Sequence, residues 1–340
     1  MKYTVGVVGY GTIGKRVADT ILLQDDMRLA GITGRSCDFK MHVAQGKGIP
    51  IYTTDTTDDS MARAFKKEGI EVAGGFEDLL GEVDVIVDAT PKKIGKLNKE
   101  QYYEKKGIKA IFQGGEKADI GEVSFVAQCN YDEAVGKDFI RVVSCNTTGL
   151  SRSIYELHKA FGVKKARATL IRRGSDPPNV DHGPINAIIP SFELPSHHGP
   201  DVRTIIPDVE VFTTAVIVPT TLMHMHNLSV VLKEKVDVPD VLEVFEKATR
   251  IRIIGKKLKI TSTAGIMEYA KDLGFLRGDF PETCIWEEGV GMYDEELFFP
   301  QAIHQESIVV PESIDAIRAA MGYSHARRSI EKTNASLGIR

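Results

Sequence analysis

The chain has 340 residues, 42% hydrophobic and 26% charged, which suits two globular domains and removes any need for a metal or a disulfide to hold a core. Its 43 basic and 47 acidic residues leave a net charge of −4, so counterion-release binding to nucleic acid has no basic surplus to draw on, whereas a local phosphate site needs only a few well-placed cations. Cysteines at 37, 129, 145 and 284 stand far apart without metal-type spacing and read as free thiols of a reducing compartment. The stretch Met1–Gly9 enters a strand at once, with no charged-then-apolar leader, and no apolar run reaches bilayer-spanning length. A cytoplasmic protein without membrane or nucleic-acid partners is the expectation.

In chain order, Tyr3–Val8, Met27–Thr33, Glu71–Ala73, Val83–Ala89, Lys109–Gln113, Val123–Ala127 and Phe139–Val143 read as short apolar strands. A helix over Thr12–Leu23 carries Ile13, Val17, Ile21 and Leu22 at helical spacing. This alternation predicts an α/β fold: a Rossmann-type doubly wound parallel sheet over residues 1–144, binding a dinucleotide. Several strands end in Gly, Thr or Ser clusters, and in such sheets ligands lie beyond the strands' carboxyl ends. After Leu150 the pattern changes. A helix over Ser151–Phe161 leads into longer strands rich in β-branched residues, Lys164–Arg173, Glu210–Val218 and His224–Leu232, with little helix between them. Residues 145–310 are therefore expected to form an α+β catalytic domain with a mixed or antiparallel sheet. The stretch from Gly174 to Pro207, rich in Pro, Gly and His, is predicted as long loops. Pro311–Gly322 reads as a helix with Pro at its start, and the C-terminal segment 311–340 is expected to pack back on the first domain.

Gly9-Tyr10-Gly11-Thr12-Ile13-Gly14 is a G-x-G-x-x-G between a strand and a helix. Gly9 makes the tight turn, Gly11 lets the backbone approach a pyrophosphate, and Gly14 lets the helix pack on the strand. The helix amino terminus adds N–H donors and positive dipole. The hexapeptide alone is weak, and a ligand-free glycine turn is its bland reading. An NAD-preferring site places Asp or Glu about 20 residues on. Here Gly31–Ser36 holds no carboxylate, and Thr33, Arg35 and Ser36 are suited to a 2′-phosphate. NADP is the preferred cofactor on this reading, with NAD accepted; the alternative leaves Arg35 solvated on a loop.

Cys145 follows the strand Phe139–Val143, with a helix from about Gly149 beyond it. Unpaired N–H groups and the macrodipole near a helix amino terminus stabilise a thiolate, and later an oxyanion. A generic cysteine is more often a small buried hydrophobe. Placement after a strand, polar neighbours and the junction of the two patterns set this one apart, and Cys37, Cys129 and Cys284 are left as structural. A base is sought among His197-His198 and His224-Met225-His226, the last pair sharing one strand face. Metal binding is the rival reading for these four histidines, but no H-E-x-x-H or C-x-x-C accompanies them, so no metal is expected. Arg172-Arg173, otherwise a solvated pair, becomes an anion clamp beside a thiolate.

With these motifs assembled, the chain resembles the archaeal-type glyceraldehyde-3-phosphate dehydrogenase family over essentially its whole length. The resemblance rests on Gly9–Ala18, Phe112-Gln113-Gly114-Gly115-Glu116-Lys117, Ser144-Cys145-Asn146-Thr147-Thr148, Pro195-Ser196-His197-His198, Pro219–His226 and His304-Gln305-Glu306-Ser307. It implies Cys145 as nucleophile, with Ser144 and Asn146 flanking the substrate, and His224 as the catalytic histidine, with His226 close enough to compete for the role. It also implies cofactor contacts from Thr12, Ile13, Gly115, Arg173 and Gln305, and a contact of His198 with the phosphorylated substrate. A cytoplasmic homotetramer acting on a small-molecule substrate and inorganic phosphate, with NADP and often NAD, goes with it. It assigns no role to Asp176 or Asp181.

The expected reaction is attack of Cys145 on the aldehyde of glyceraldehyde 3-phosphate to give a thiohemiacetal. Hydride transfer follows with His224 taking the hydroxyl proton, and then phosphorolysis of the thioester to 1,3-bisphosphoglycerate. Two rivals stand beside it: a semialdehyde dehydrogenase, with the same Cys-Asn nucleophile on a Rossmann domain, and a redox-sensing protein that binds NADP without turnover.

Overall fold

The computed structural model describes residues 2–54, 60–113, 115–176 and 183–339, which divide into two compact units. The first comprises Met1–Val143 with Val310–Leu337, and the second Ser144–Val309 with Gly338–Arg340.

In the first unit, strands β1 (Tyr3–Val8), β2 (Met27–Gly34), β3 (Ile51–Thr53), β4 (Val85–Asp88), β5 (Lys109–Phe112), β6 (Val123–Phe125) and β7 (Phe139–Val142) form one sheet of order β3-β2-β1-β4-β5-β7-β6. Every neighbouring pair is parallel. Val5, Val7 and Val85–Val87 are fully buried, as strands covered on both faces require. The chain runs outward from β1 to one side and resumes at β4 on the other. The switch point therefore lies at the carboxyl ends of β1 and β4, directly above the glycine-rich turn.

One expected strand is corrected. Glu71–Ala73 is not a strand; the sheet's edge is β3 (Ile51–Thr53), three residues too short for any alternation to show. The 71–74 stretch only runs beside it, through Ala73 N–H to the Ile51 carbonyl (2.8 Å) and Thr53 N–H to the Gly74 carbonyl (3.0 Å).

The C-terminal helix spans Val310–Ala320 and is buried on every side, Glu312, Asp315 and Arg318 included. Arg318 donates to both oxygens of Asp26 (2.9 and 3.0 Å), to Gln24 (2.7 Å) and to Thr333 (2.7 Å). A second helix, Ala326–Leu337, escaped the apolar pattern because its buried face is polar: Ser329 and Thr333 both donate to Asp315, at 2.7 Å each.

The second unit holds β8 (Val163–Arg173), β9 (Ile189–Pro190), β10 (Glu210–Val218), β11 (His224–Leu232), β12 (Ile251–Ile254), β13 (Thr283–Trp286), β14 (Gly291–Tyr293) and β15 (Glu296–Ile303). Their order is β12-β13-β15-β11-β8-β10-β9, with β14 on β15. The sheet is mixed: β8–β10 and β12–β13 are parallel, the remaining pairs antiparallel. Between β8 and β11 the described residues hold one short helix, His198–Val202; two longer ones, Val238–Lys247 and Thr263–Asp272, follow β11. Among the described residues no helix is long and apolar enough to cross a membrane.

The helix expected over Ser151–Phe161 instead begins at Cys145. Asn146-Thr147-Thr148-Gly149 are weak helix formers, which hid the first turn from propensity. Ser144 supplies the cap, its Oγ accepting from Thr147 N–H at 3.3 Å. Burial does the rest: residues 146–154 are all buried, and Arg152 donates to the carbonyls of Pro281 (2.8 Å) and Ile308 (3.0 Å). Glycine is required at 149, where a Cβ would stand 2.6 Å from Ile303 Cγ2.

Candidate active site

In the first unit the turn after β1 is built as its glycines predict. Gly9 has φ +91°, and a Cβ there would meet the Ala89–Thr90 peptide at 3.0 Å. A Cβ on Gly14 would stand 2.0 Å from the Gly9 carbonyl oxygen. Gly11 differs: nothing lies within 4 Å of a Cβ placed there, and the same holds at Gly115, φ +74°. The helix Thr12–Ile21 has no side-chain cap and no acidic residue in its first turn, leaving its amino end open to an anion. Gly114 lies outside the described residues. We expect Gly14→Ala to abolish dinucleotide binding, read by quenching of tryptophan fluorescence or by calorimetry; unchanged affinity would contradict the packing role.

Two neighbours hold this turn in place. Thr33 Oγ1 accepts from Gly9 N–H (2.9 Å) and is buried, so Thr33 serves the turn and not the surface. Asp88, at the end of β4, is 1% exposed and accepts from Thr90 N–H (3.0 Å), the Thr90 hydroxyl, Asn98 (2.8 Å) and Tyr103 OH (2.7 Å). Past β2, Arg35 is exposed and makes no hydrogen bond or ion pair among the described residues. Ser36 donates to Asp38 Oδ2 (3.0 Å), a carboxylate that also pairs with Lys40 Nζ at 2.9 Å.

In the second unit Cys145 is the first residue of its helix, partly exposed as a residue although its sulfur is enclosed. That burial pushes the thiol up to about 11, against the lowering pull of Arg173, the Asn146 N–H and Arg172. Burial of the sulfur thus opposes the stabilisation of a thiolate by the helix terminus and the two arginines.

The histidines now separate. His224 Nδ1 accepts from the Arg173 backbone N–H at 2.9 Å, so its neutral ring carries hydrogen on Nε2. Burial, aided by His226, Arg173 and Arg172, holds this ring well below its usual range. In this hydrogen-bonding state His224 carries a donor at Nε2. His226 has both nitrogens engaged, Nε2 with Asn146 Oδ1 (2.9 Å) and Nδ1 with Gln301 Nε2 (3.0 Å), and is 0% exposed. His198 is engaged at Nε2 by Asn146 Nδ2 (3.2 Å) and at Nδ1 by Ser196 Oγ (3.2 Å).

Burial lowers His198 to about 2 and His226 to about 3, and lowers His224 as well. An unfolded histidine titrates near 6.5, so below that pH the unfolded chain binds more protons. Folding stability is then full above about pH 6.5 and lost as pH falls towards the folded values. The three rings together should cost about 2–4 kcal/mol between pH 7.5 and 5.5. A urea midpoint that does not move over this interval would contradict their neutral burial.

The two arginines also divide the work. The Arg173 guanidinium is 1% exposed and donates to Gln305, Glu306 Oε1 (2.6 Å), the Thr221 carbonyl (3.2 Å) and Asp176. Burial alone would raise the Glu306 carboxyl, but His304 and Arg173 hold it far below the usual range. Arg172 has no hydrogen bond or ion pair among the described residues, its Nε is buried, and its charge bears on Cys145, His198 and His224. Among the described residues no group of three His, Cys, Asp or Glu is arranged to hold a metal.

Residues 144–283 match the family described as glyceraldehyde 3-phosphate dehydrogenase, C-terminal domain. The whole chain is 54% identical to the glyceraldehyde-3-phosphate dehydrogenase of Methanococcoides burtonii, covering 99% of each. It is 50% identical to that of Archaeoglobus fulgidus (100% of this chain, 98% of the relative) and 50% to that of Pyrococcus furiosus (100% and 99%). The chain belongs to the glyceraldehyde-3-phosphate dehydrogenase family. It is an enzyme, an oxidoreductase, and the family's nicotinamide cofactor fits the open backbone at Gly11.

Within the second unit, Cys145, Asn146, Arg172, Arg173, His198, His224 and Gln305 are joined by direct bonds or by the shared charges of the two arginines. Ser144 is spent on the cap, its Oγ also 2.9 Å from Thr147 Oγ1, which donates to Asp201 (2.8 Å). Asp181 lies outside the described residues, whereas Asp176 proves to be a partner of Arg173. Sequence reading assigned nothing to Asp88, Thr213, Gln301 or Glu306. The available signal was a polar residue at an inward strand position: Thr213 between Val211 and Ala215, and Gln301 between Phe299 and Ile303, all buried.

Proposed function

We propose that the chain catalyses the phosphorylating oxidation of glyceraldehyde 3-phosphate to 1,3-bisphosphoglycerate, a glycolytic and gluconeogenic step, with NADP preferred and NAD accepted. One observation carries the reading: a cysteine at a helix amino terminus on which the charges of Arg172 and Arg173 bear, Arg172 having no hydrogen bond or ion pair among the described residues and Arg173 donating its backbone N–H to His224. The bound cofactor supplies the hydride acceptor, with its pyrophosphate held by Gly9, Gly11, Thr12, Ile13 and Gly14. The Cys145 sulfur bonds to the aldehyde carbon as its hydrogen passes to the carbonyl oxygen, which accepts a hydrogen bond from His224 Nε2–H and backbone N–H groups. A bound nicotinamide would accept the hydride that this carbon loses, and with release of the hydroxyl proton to solvent a thioester would remain on Cys145. Phosphate displaces the sulfur, which recovers a proton, and the acyl phosphate keeps the energy of oxidation.

Arg172 is the residue we assign to the phosphate-bearing reactants, while Arg173 with Gln305 shapes the wall beside it. The NADP preference is supported by the exposed Arg35 with Ser36, and by the saturation of Asp38, whose carboxylate is neutralised by Lys40. A homotetramer is supported by the exposed apolar residues Ile185, Phe192 and Leu194, 86%, 91% and 67% accessible, which a second copy would cover. Free cysteines accord with a cytoplasmic site. The test is a steady-state assay of glyceraldehyde 3-phosphate and aspartate semialdehyde with each cofactor, with and without phosphate. We expect phosphate-dependent reduction of NADP with the former; a preference for the semialdehyde, or no reduction with either, would overturn the reading.

A further inference from the structure

Six side chains of the second unit are joined in single file around Asn146. Gln301 Nε2 donates to His226 Nδ1 (3.0 Å), and His226 Nε2 to Asn146 Oδ1 (2.9 Å). Asn146 Nδ2 donates to His198 Nε2 (3.2 Å), and His198 Nδ1 to Ser196 Oγ (3.2 Å). Ser196 Oγ donates to Thr213 Oγ1 (2.8 Å), whose own hydrogen goes to the Ser196 carbonyl (2.9 Å). All six are at most 3% exposed. A neutral imidazole has one donor and one acceptor, so the direction chosen at one ring dictates the next. The amides of Gln301 and Asn146, at separate places in the file, point the same way.

We propose that this file is a positioning device for the nucleophile, in which Gln301, Ser196 and Thr213 act through the two imidazoles on Asn146 and thereby on Cys145. Asn146 follows Cys145 directly and its backbone N–H lowers the thiol, while the Asn146 side chain is clamped on both sides by His226 and His198. Clamping the amide fixes the peptide that carries this N–H. The same polarity sets opposite tautomers, Nε2–H on His226 and Nδ1–H on His198. It leaves neither ring a free nitrogen, whereas His224 Nε2 makes no hydrogen bond among the described residues. Burying so many polar groups is unfavourable unless each is paired; every side-chain polar atom of the file except Gln301 Oε1 is, so losing one member leaves its neighbours unsatisfied.

The inference rests on Cys145 being the nucleophile, but its readouts need no turnover. Histidine-labelled protein should show by 15N NMR two buried neutral rings of opposite tautomer. Thr213→Val, of equal shape without the hydroxyl, should slow iodoacetamide alkylation of Cys145 at pH 8 by about tenfold. It should also lower kcat by a similar factor with the aldehyde KM within about twofold, and Thr213→Ser should restore both. Gln301→Glu, which turns the donor at the head of the file into an acceptor, should place hydrogen on His226 Nδ1. Identical tautomers in the parent, or folded Thr213→Val and Gln301→Glu proteins with parental alkylation rates, would overturn the proposal. A parent lacking aldehyde oxidation, with tautomers and alkylation as stated, would instead overturn the proposed function alone.

Discussion

Cys145→Ser is expected to lower phosphate-dependent cofactor reduction by about 10⁴-fold or more, with dinucleotide affinity unchanged. Burial raises the thiol against the pull of Arg173, the Asn146 N–H and Arg172, and sulfur is far more nucleophilic than an alcohol in the same place. An ester formed by serine would also resist phosphorolysis, because an alkoxide leaves less readily than a thiolate. The substitution keeps the Ser144 cap and the clamped Asn146 amide, so the fold gives no reason for wider damage. Steady-state rates with saturating phosphate read the loss. Reduction persisting within tenfold of the parent would mean that another group carries the chemistry.

Arg173→Met should cost about 3–5 kcal/mol of folding stability. The guanidinium is the meeting point of Gln305, Asp176, Glu306 and the Thr221 carbonyl, and its removal leaves the buried Glu306 carboxylate facing His304 alone. Breaking one side of a buried ion pair exposes the survivor to an uncompensated burial penalty. It also removes the largest charge that pulls the Cys145 thiol down, so alkylation of the variant should be slower at every pH. Arg173→Lys retains charge but not the planar fork, and should recover alkylation more than stability. Urea unfolding reads the first effect and iodoacetamide the second. A variant as stable as the parent would show that Arg173 is held for a ligand and not for Glu306.

Much of the scaffold was legible because its periodicities are strong. The parallel strands Tyr3–Val8 and Val85–Asp88 carry runs of valine and isoleucine, and β10 and β11 keep the predicted bounds Glu210–Val218 and His224–Leu232. The failures share a cause: elements held by polar burial carry no apolar signal. The helix Ala326–Leu337 docks through Ser329 and Thr333, and the first turn at Cys145 is fixed by the Ser144 cap and by Asn146. Three-residue β3 is too short for any pattern. At the site, residue types were readable but partnerships were not. Sequence could pair His224 with His226 on one face, but only hydrogen bonding shows that Gln301 and Asn146 consume the second ring while the Arg173 N–H sets the tautomer of the first. Likewise Arg172-Arg173 reads as a uniform clamp, and only their partners divide them into a structural hub and a cation with no hydrogen bond or ion pair among the described residues.

The most direct trial of the covalent mechanism is a single turnover without phosphate. Mixing the enzyme with glyceraldehyde 3-phosphate and oxidised cofactor, quenching in acid and mapping the peptides by mass should yield a burst of reduced cofactor and an acyl adduct on the Cys145 peptide, both discharged when phosphate is supplied. A burst without an adduct on that peptide, or an adduct elsewhere, would contradict the account.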